Sequence, residues 1–257
     1  MNELTVGNLF DWKEKNVIIT GADNMVGTTL AHAFAFHQAN VVLIDGNEES
    51  MLNIRSIITE MGRKCLTYGI DMTDEALVAN AVVDVCEKLG TIDVLVNHTS
   101  KNIRKIETDT DKIFEIEPRG MLLIAHEVGQ VMKEQGYGKI INTASDFLEN
   151  GHQNLVSHIT NYNGVLEMTK SLAREYVAFG VNVNAVGRSS ISNKDNLSSN
   201  PSGLSTPKIL IHQNVEPSDL VGAYLFLASS GADYITGQTL YVHDLNSPVE
   251  NKVDLIL

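Results

Sequence analysis

The chain of 257 residues has only two cysteines, five prolines and one tryptophan. Two thiols, Cys65 and Cys86, on separate expected elements exclude a disulfide framework, and no CxxC spacing is present. Both read as small buried apolar residues of a reducing compartment. No His, Cys, Asp and Glu cluster has the spacing of a metal site, so no metal is expected. No apolar run approaches the roughly 18 residues of a membrane span. The first residues, MNELTVGNLFDWKEK, carry acidic groups and no apolar centre, so a secretory signal is not expected. Basic residues are the minority: 19 Lys and Arg against 32 Asp and Glu give a net charge of −13. Charge of that sign argues against nucleic acid and anionic membranes as partners. A cytoplasmic location is expected.

What is present is globular: 43% apolar and 20% charged residues. The length suits a single domain over 1–257. Short β-branched runs alternate with helical periodicities along the chain. Strands are expected over 17–20, 41–45, 65–69 and 92–97, with helices over 26–38, 49–61 and 75–89 between them. Such alternation implies a parallel sheet covered on both faces. Further helices are expected over 106–115 and 119–135. A strand over 139–143, a helix over 157–179 and a strand from Val181 follow. The stretch 189–207, rich in Ser, Asn and Gly, reads as an exposed mobile loop. Pro217 opens a last helix, and GQTLYV makes a seventh strand. The apolar end VDLIL either docks on a neighbour or frays.

The run from Lys139 to Arg188 carries the most information. A buried strand leads to Ser145, and a long helix and an alternating strand, VNVNAV, come after it. This run resembles the second half of the short-chain dehydrogenase/reductase family. The resemblance implies a Rossmann-type α/β fold: a three-layer αβα sandwich around a seven-stranded parallel sheet. It also implies NAD as the cofactor and a loop over 189–207 that covers the substrate. In the family a Ser follows the strand, and a Tyr and a Lys one turn apart line the helix. Aligning GVLEMTKSLAREY on that helix places Ser145 on the family's Ser, His158 on its Tyr and Tyr162 on its Lys. Glu117 stands where the family has an Asn.

A dinucleotide site needs glycines where the backbone turns tightly and meets the pyrophosphate. Of the family's TGxxxGxG, the chain keeps Thr20, Gly21 and Gly27 but has Met25 for the middle glycine. A positive φ at Met25 would cost about 1–2 kcal/mol. Its side chain is expected to project into the phosphate's volume. Asp45 and Asp71 match the acids at the adenosine ribose and beside the adenine. The family's Asn-Asn-Ala-Gly reads Asn97, His98, Thr99, Ser100. Its Pro-Gly reads Arg188, Ser189, and its Asp-Gly-Gly reads His243, Asp244, Leu245. Gly21, Met25, Gly27, Asp45, Asp71 and Asn97 are thus expected as a vestigial cofactor site.

The family's Tyr, with an ordinary pKa of about 10, is activated by the neighbouring Lys cation. Tyr162 supplies none. Two readings follow. In one, Ser145, His158, Tyr162 and Glu117 are degenerate positions and the chain is a pseudoenzyme that binds no cofactor itself. It then pairs with an intact paralogue holding NAD, as a heterotetramer, through the helices at 119–135 and 157–179. The set of losses is similar to that in the non-catalytic subunit of the (hydroxybenzyl)succinyl-CoA dehydrogenase of anaerobic toluene degradation. In the other, Ser145, His158 and Glu117 form a variant acid–base site of an active oxidoreductase or lyase. A third possibility is a sensor that takes a nucleotide or acyl-CoA at Asp45 and Asp71.

Overall fold

The structure is a computed structural model that describes residues 9–99, 117–145, 156–188 and 215–242. The first half runs β1 (Asn16–Thr20), α1 (Met25–Phe36), β2 (Asn40–Asp45), α2 (Leu52–Glu60), β3 (Cys65–Gly69), α3 (Glu75–Leu89) and β4 (Val94–Asn97). The second half runs α4 (Glu117–Gln135), β5 (Gly138–Ser145), α5 (Val156–Tyr176), β6 (Val181–Arg188), α6 (Pro217–Ala228) and β7 (Thr239–Val242). β3 and α3 fall on the expected residues. The other elements differ at their ends, where α2 begins and α5 finishes in a single 3-10 turn. The helix expected over 106–115, the loop expected over 189–207 and the tail lie outside the described residues.

The seven strands form one sheet in the order β3-β2-β1-β4-β5-β6-β7, and every pairing is parallel. This is the doubly wound order of a Rossmann-type fold, and the winding reverses between β1 and β4. Every residue of β1, β2 and β4 is buried, as strands with helices on both faces must be. Alternation sorts the side chains. Ile18, Val42, Leu95, Ile140 and Val183 pack with α3, α4 and α5. Val17, Ile19, Leu43, Val96 and Ile141 pack with α1, α2 and α6.

The apolar residues of α4 and α5 that suggested a partner surface mostly turn into this core. Met121, Ile124, Ala125 and Val128 of α4 are buried, as are Val165, Leu172, Ala173 and Tyr176 of α5. Helical spacing marks an apolar face without saying what covers it, and here the sheet does. Leu122 on α4, with Val177 and Phe179 in the turn after α5, remain exposed. Among the described residues no helix is long and apolar enough to cross a membrane.

Close packing of α4 on α5 depends on Gly129. A Cβ there would lie 2.5 Å from the ring of the fully buried Tyr176. Gly129→Ala is expected to lower stability: overpacking costs about 1–3 kcal/mol, more than the ~1 kcal/mol gained in helix propensity. Gly222→Ala, on α6, meets nothing within 4 Å and is expected to raise it. Urea unfolding of both variants checks the pair of signs, and a stabilised Gly129→Ala would contradict the α4–α5 packing.

Candidate functional site

A cavity of about 280 Å³ opens at the carboxyl ends of β1, β2 and β4, where the winding reverses. Open parallel sheets bind ligands at this position. Thr20, Gly21, Asp45, Asp71, Asn97 and His98 line it, with Ile70, Met72 and Met121 as apolar walls. The Asp45 carboxylate is 8% exposed and accepts from the Gly46 N–H at 2.6 Å and the Asp23 N–H at 3.4 Å. Asp71 accepts from the backbone N–H and hydroxyl of Thr73, at 2.9 and 2.8 Å. Among the described residues, no Lys or Arg lines the cavity, while Asp45 and Asp71 do.

The turn from β1 into α1 keeps two of the family's glycine features. Gly21 takes φ 61, a left-handed conformation that glycine adopts without a Cβ penalty. Gly27 lets α1 press on that turn: a Cβ would sit 2.3 Å from the Gly21 carbonyl oxygen. Met25 departs from the expectation. It is not among the residues with positive φ, it is 61% exposed, and it does not line the cavity. As the first residue of α1 it has helical backbone and points outward.

The N-terminus of α1 is capped by a residue that sequence reasoning missed. Asn24 is the N-cap of α1, and its Oδ1 accepts from the N–H groups of Val26 at 2.9 Å and Gly27 at 3.0 Å. These are helix N-terminal donors of the kind a phosphate would need. The Asn24 Nδ2 meets His98 Nε2 at 2.9 Å, which assigns that nitrogen as the acceptor. His98 is held in turn by β1: its N–H donates to the Thr20 hydroxyl at 2.9 Å, and that hydroxyl donates to the His98 carbonyl at 2.6 Å. The signal for Asn24 was present as an Asn directly before a helix, a leading N-cap residue type.

Asn97, expected to face a cofactor, has a fully buried side chain tied into the fold. Its Nδ2 donates to the Met121 carbonyl at 2.8 Å and to Asn142 Oδ1 at 3.0 Å. Asn142 donates to the Thr169 hydroxyl at 2.9 Å, so β4, β5 and α5 share one hydrogen-bonded chain. Asp45 and Asp71 thus line one cavity with Gly21 and Asn97. At the N-terminus of α1 the N–H groups of Val26 and Gly27 are taken by the Asn24 side chain.

At the other end of the cleft, Ser145 ends β5 in register with Arg188 of β6. Glu117 opens α4, and His158 and Tyr162 lie one turn apart near the start of α5. The Tyr162 hydroxyl is 3.0 Å from the Tyr241 hydroxyl of β7. The Tyr241 ring lies over Gly187, whose Cβ would fall 2.4 Å from it. Asn161, beside Tyr162, is buried with neither amide atom hydrogen-bonded. The thiols are remote from this chemistry: burial pushes Cys65 up to about 12 and raises Cys86, so both stay protonated near neutrality. Among the described residues no group of three or more His, Cys, Asp and Glu could hold a metal.

A family profile described as enoyl-(acyl carrier protein) reductase matches residues 21–244. The 3-oxoacyl-[acyl-carrier-protein] reductase of Rickettsia felis is 28% identical, over 91% of this chain and 98% of its own. The 2-dehydro-3-deoxy-D-gluconate 5-dehydrogenase of Formosa agariphila is 26% identical, over 91% of this chain and 93% of its own. A short-chain type dehydrogenase/reductase from Mycobacterium marinum superposes with TM-score 0.82 at 27% identity, covering 93% of this chain and 98% of its own.

Asn24→Ala is expected to destabilise the protein by about 1 kcal/mol, the usual cost of a lost N-cap. Met25→Ala, at an exposed position, is expected to stay within about 0.5 kcal/mol of the parent. Chemical denaturation of the two variants measures both, and the reverse order would show that Met25, not Asn24, holds the turn.

Proposed function

The chain belongs to the short-chain dehydrogenase/reductase family of oxidoreductases, and from that premise we propose that it is a non-catalytic member. It binds no dinucleotide of its own and assembles with a catalytically intact paralogue that holds NAD. The observation that carries this reading is Tyr162. The family's proton donor needs a cation one helical turn away to titrate near neutrality. At that position this chain has a phenol, and the phenol is bonded to Tyr241. His158 in the donor's place has no family cation beside it.

Partner assembly draws support from fewer exposed apolar side chains than helical spacing implied: Leu122 near the start of α4, and Val177 and Phe179 after α5. The pattern of altered positions suggests that the paralogue oxidises a secondary alcohol on an acyl-CoA thioester, such as (hydroxybenzyl)succinyl-CoA. A second reading, an active oxidoreductase with a variant Ser145 and His158 site, is favoured by one feature. Asn161 is a buried amide on the helix of His158 with no intramolecular partner, the kind of group that a ligand satisfies.

Expression alone and together with an intact paralogue separates the two. The chain alone is expected to show neither NAD binding by calorimetry nor turnover. The co-expressed pair is expected to purify as one hetero-oligomer with dehydrogenase activity. Calorimetry is the suitable probe, since Trp12 is buried against Phe34 ahead of β1, at the end of the sheet opposite the cavity. Full dehydrogenase activity of the chain by itself would overturn the proposal, and its loss in His158→Ala would establish the second reading.

A further inference from the structure

We propose that the groove between α3 and α4 is a docking surface for a helix of a partner protein, one that carries apolar side chains on one face and Lys or Arg along its flanks. The groove shares no residue with the cavity at the ends of the strands, and its use does not depend on whether the chain is catalytic.

Shape is the first support. α3 and α4 lie side by side on one face of the sheet, each burying a stripe of side chains in the same core. Outside that stripe they leave a groove of about 610 Å³, whose apolar part is Val82, Val83 and Cys86 of α3 and Val131 of α4. Val82 is buried, whereas Val83 beside it is 56% exposed. The apolar arc of α3 is thus wider than the sheet can cover. Apolar surface rimmed by polar groups marks a contact site. The α3 wall runs from Ala79 to Gly90, about 16 Å or three helical turns. A partner helix laid along such a groove engages it through residues at i, i+3, i+4 and i+7.

Charge selects the occupant. Glu87 borders the groove on the α3 side, and Glu127 and Glu134 on the α4 side. Among the described residues no Lys or Arg lines it. Neither Glu87 nor Glu134 forms an ion pair, and Glu127 meets only the His126 ring, at 3.4 Å. The nearby cations are engaged elsewhere: Lys88 holds Asp84 at 2.6 Å, and Lys133 lies over the rings of Tyr176 and Phe179. Carboxylates on both banks of an apolar strip favour a basic-flanked helix and repel an acidic one. The chain's own terminal run, SPVENKVDLIL, is a poor occupant, with Glu250 and Asp254 against Lys252 alone. A second copy paired through this groove would set the same glutamates against each other.

A fluorescent amphipathic peptide of leucine and lysine, titrated into the full-length chain, tests the groove against a leucine–glutamate peptide of the same pattern. Only the lysine peptide is expected to bind. Its affinity is expected to fall at least tenfold in Glu87→Gln/Glu134→Gln. The charge-matched pair Glu49→Gln/Glu60→Gln, beside and within α2 on the other face of the sheet, is expected to change it less than threefold. Bound peptide is also expected to slow the reaction of Cys86 with a disulfide reagent at least fivefold; the other thiol, Cys65, is buried. No binding of the lysine peptide, equal loss in both variant pairs, or an unchanged Cys86 rate would each overturn the proposal. So would a dimer of the chain that dissociates in Val83→Asp, which would assign the groove to a second copy.

Discussion

Burial of the central parallel strands on both faces is the constraint from which the rest of the molecule follows. β1, β2 and β4 present apolar side chains to two helical layers, and neither layer is stable without the other. The backbone groups of such strands are satisfied only by their neighbours, so the sheet order is set early and tightly. Because the winding reverses between β1 and β4, the loops after these strands diverge and leave a cavity at their ends. The cavity here is a by-product of topology, so it forms whatever residues line it.

The floor of that cavity is polar, buried and fully engaged. Asn97, Asn142 and Thr169 join β4, β5 and α5 through side-chain hydrogen bonds, and the Thr20 hydroxyl ties β1 to the backbone of His98. In a low-dielectric setting each such bond stiffens the next, and a missing partner is costly. The Asn97 side chain therefore serves the fold directly.

Above the floor, the decisive competition is between a side chain and a ligand for the same backbone donors. A helix N-terminus must have its N–H groups satisfied by something. Here Asn24 satisfies two of them within the chain, and His98 contacts its amide. Loss of the middle glycine of TGxxxGxG attracts notice in the sequence, yet Met25 at that position faces solvent and obstructs nothing within the cavity. The residue that caps the helix lies one position earlier, where the motif specifies no residue type, and conforms to an ordinary capping preference.

Much of the fold was legible in the sequence. Alternating β-branched runs and helical periods located the sheet and its crossovers, and β3 and α3 fell on their expected residues, because periodicity reports burial directly. The candidate site was legible as a set of positions: Asp45, Asp71 and Gly21 do line the cavity, and His158 and Tyr162 do share a helix. What one-dimensional spacing could not convey was the direction each side chain takes. Whether Met121 and Val128 face a partner or their own sheet, whether Tyr162 reaches into the cleft or to Tyr241, and whether Asn24 or Met25 stands before the phosphate position were decided by tertiary packing. Burial and hydrogen-bond satisfaction depend on neighbours distant in the chain, and those neighbours exist only once the sheet is assembled.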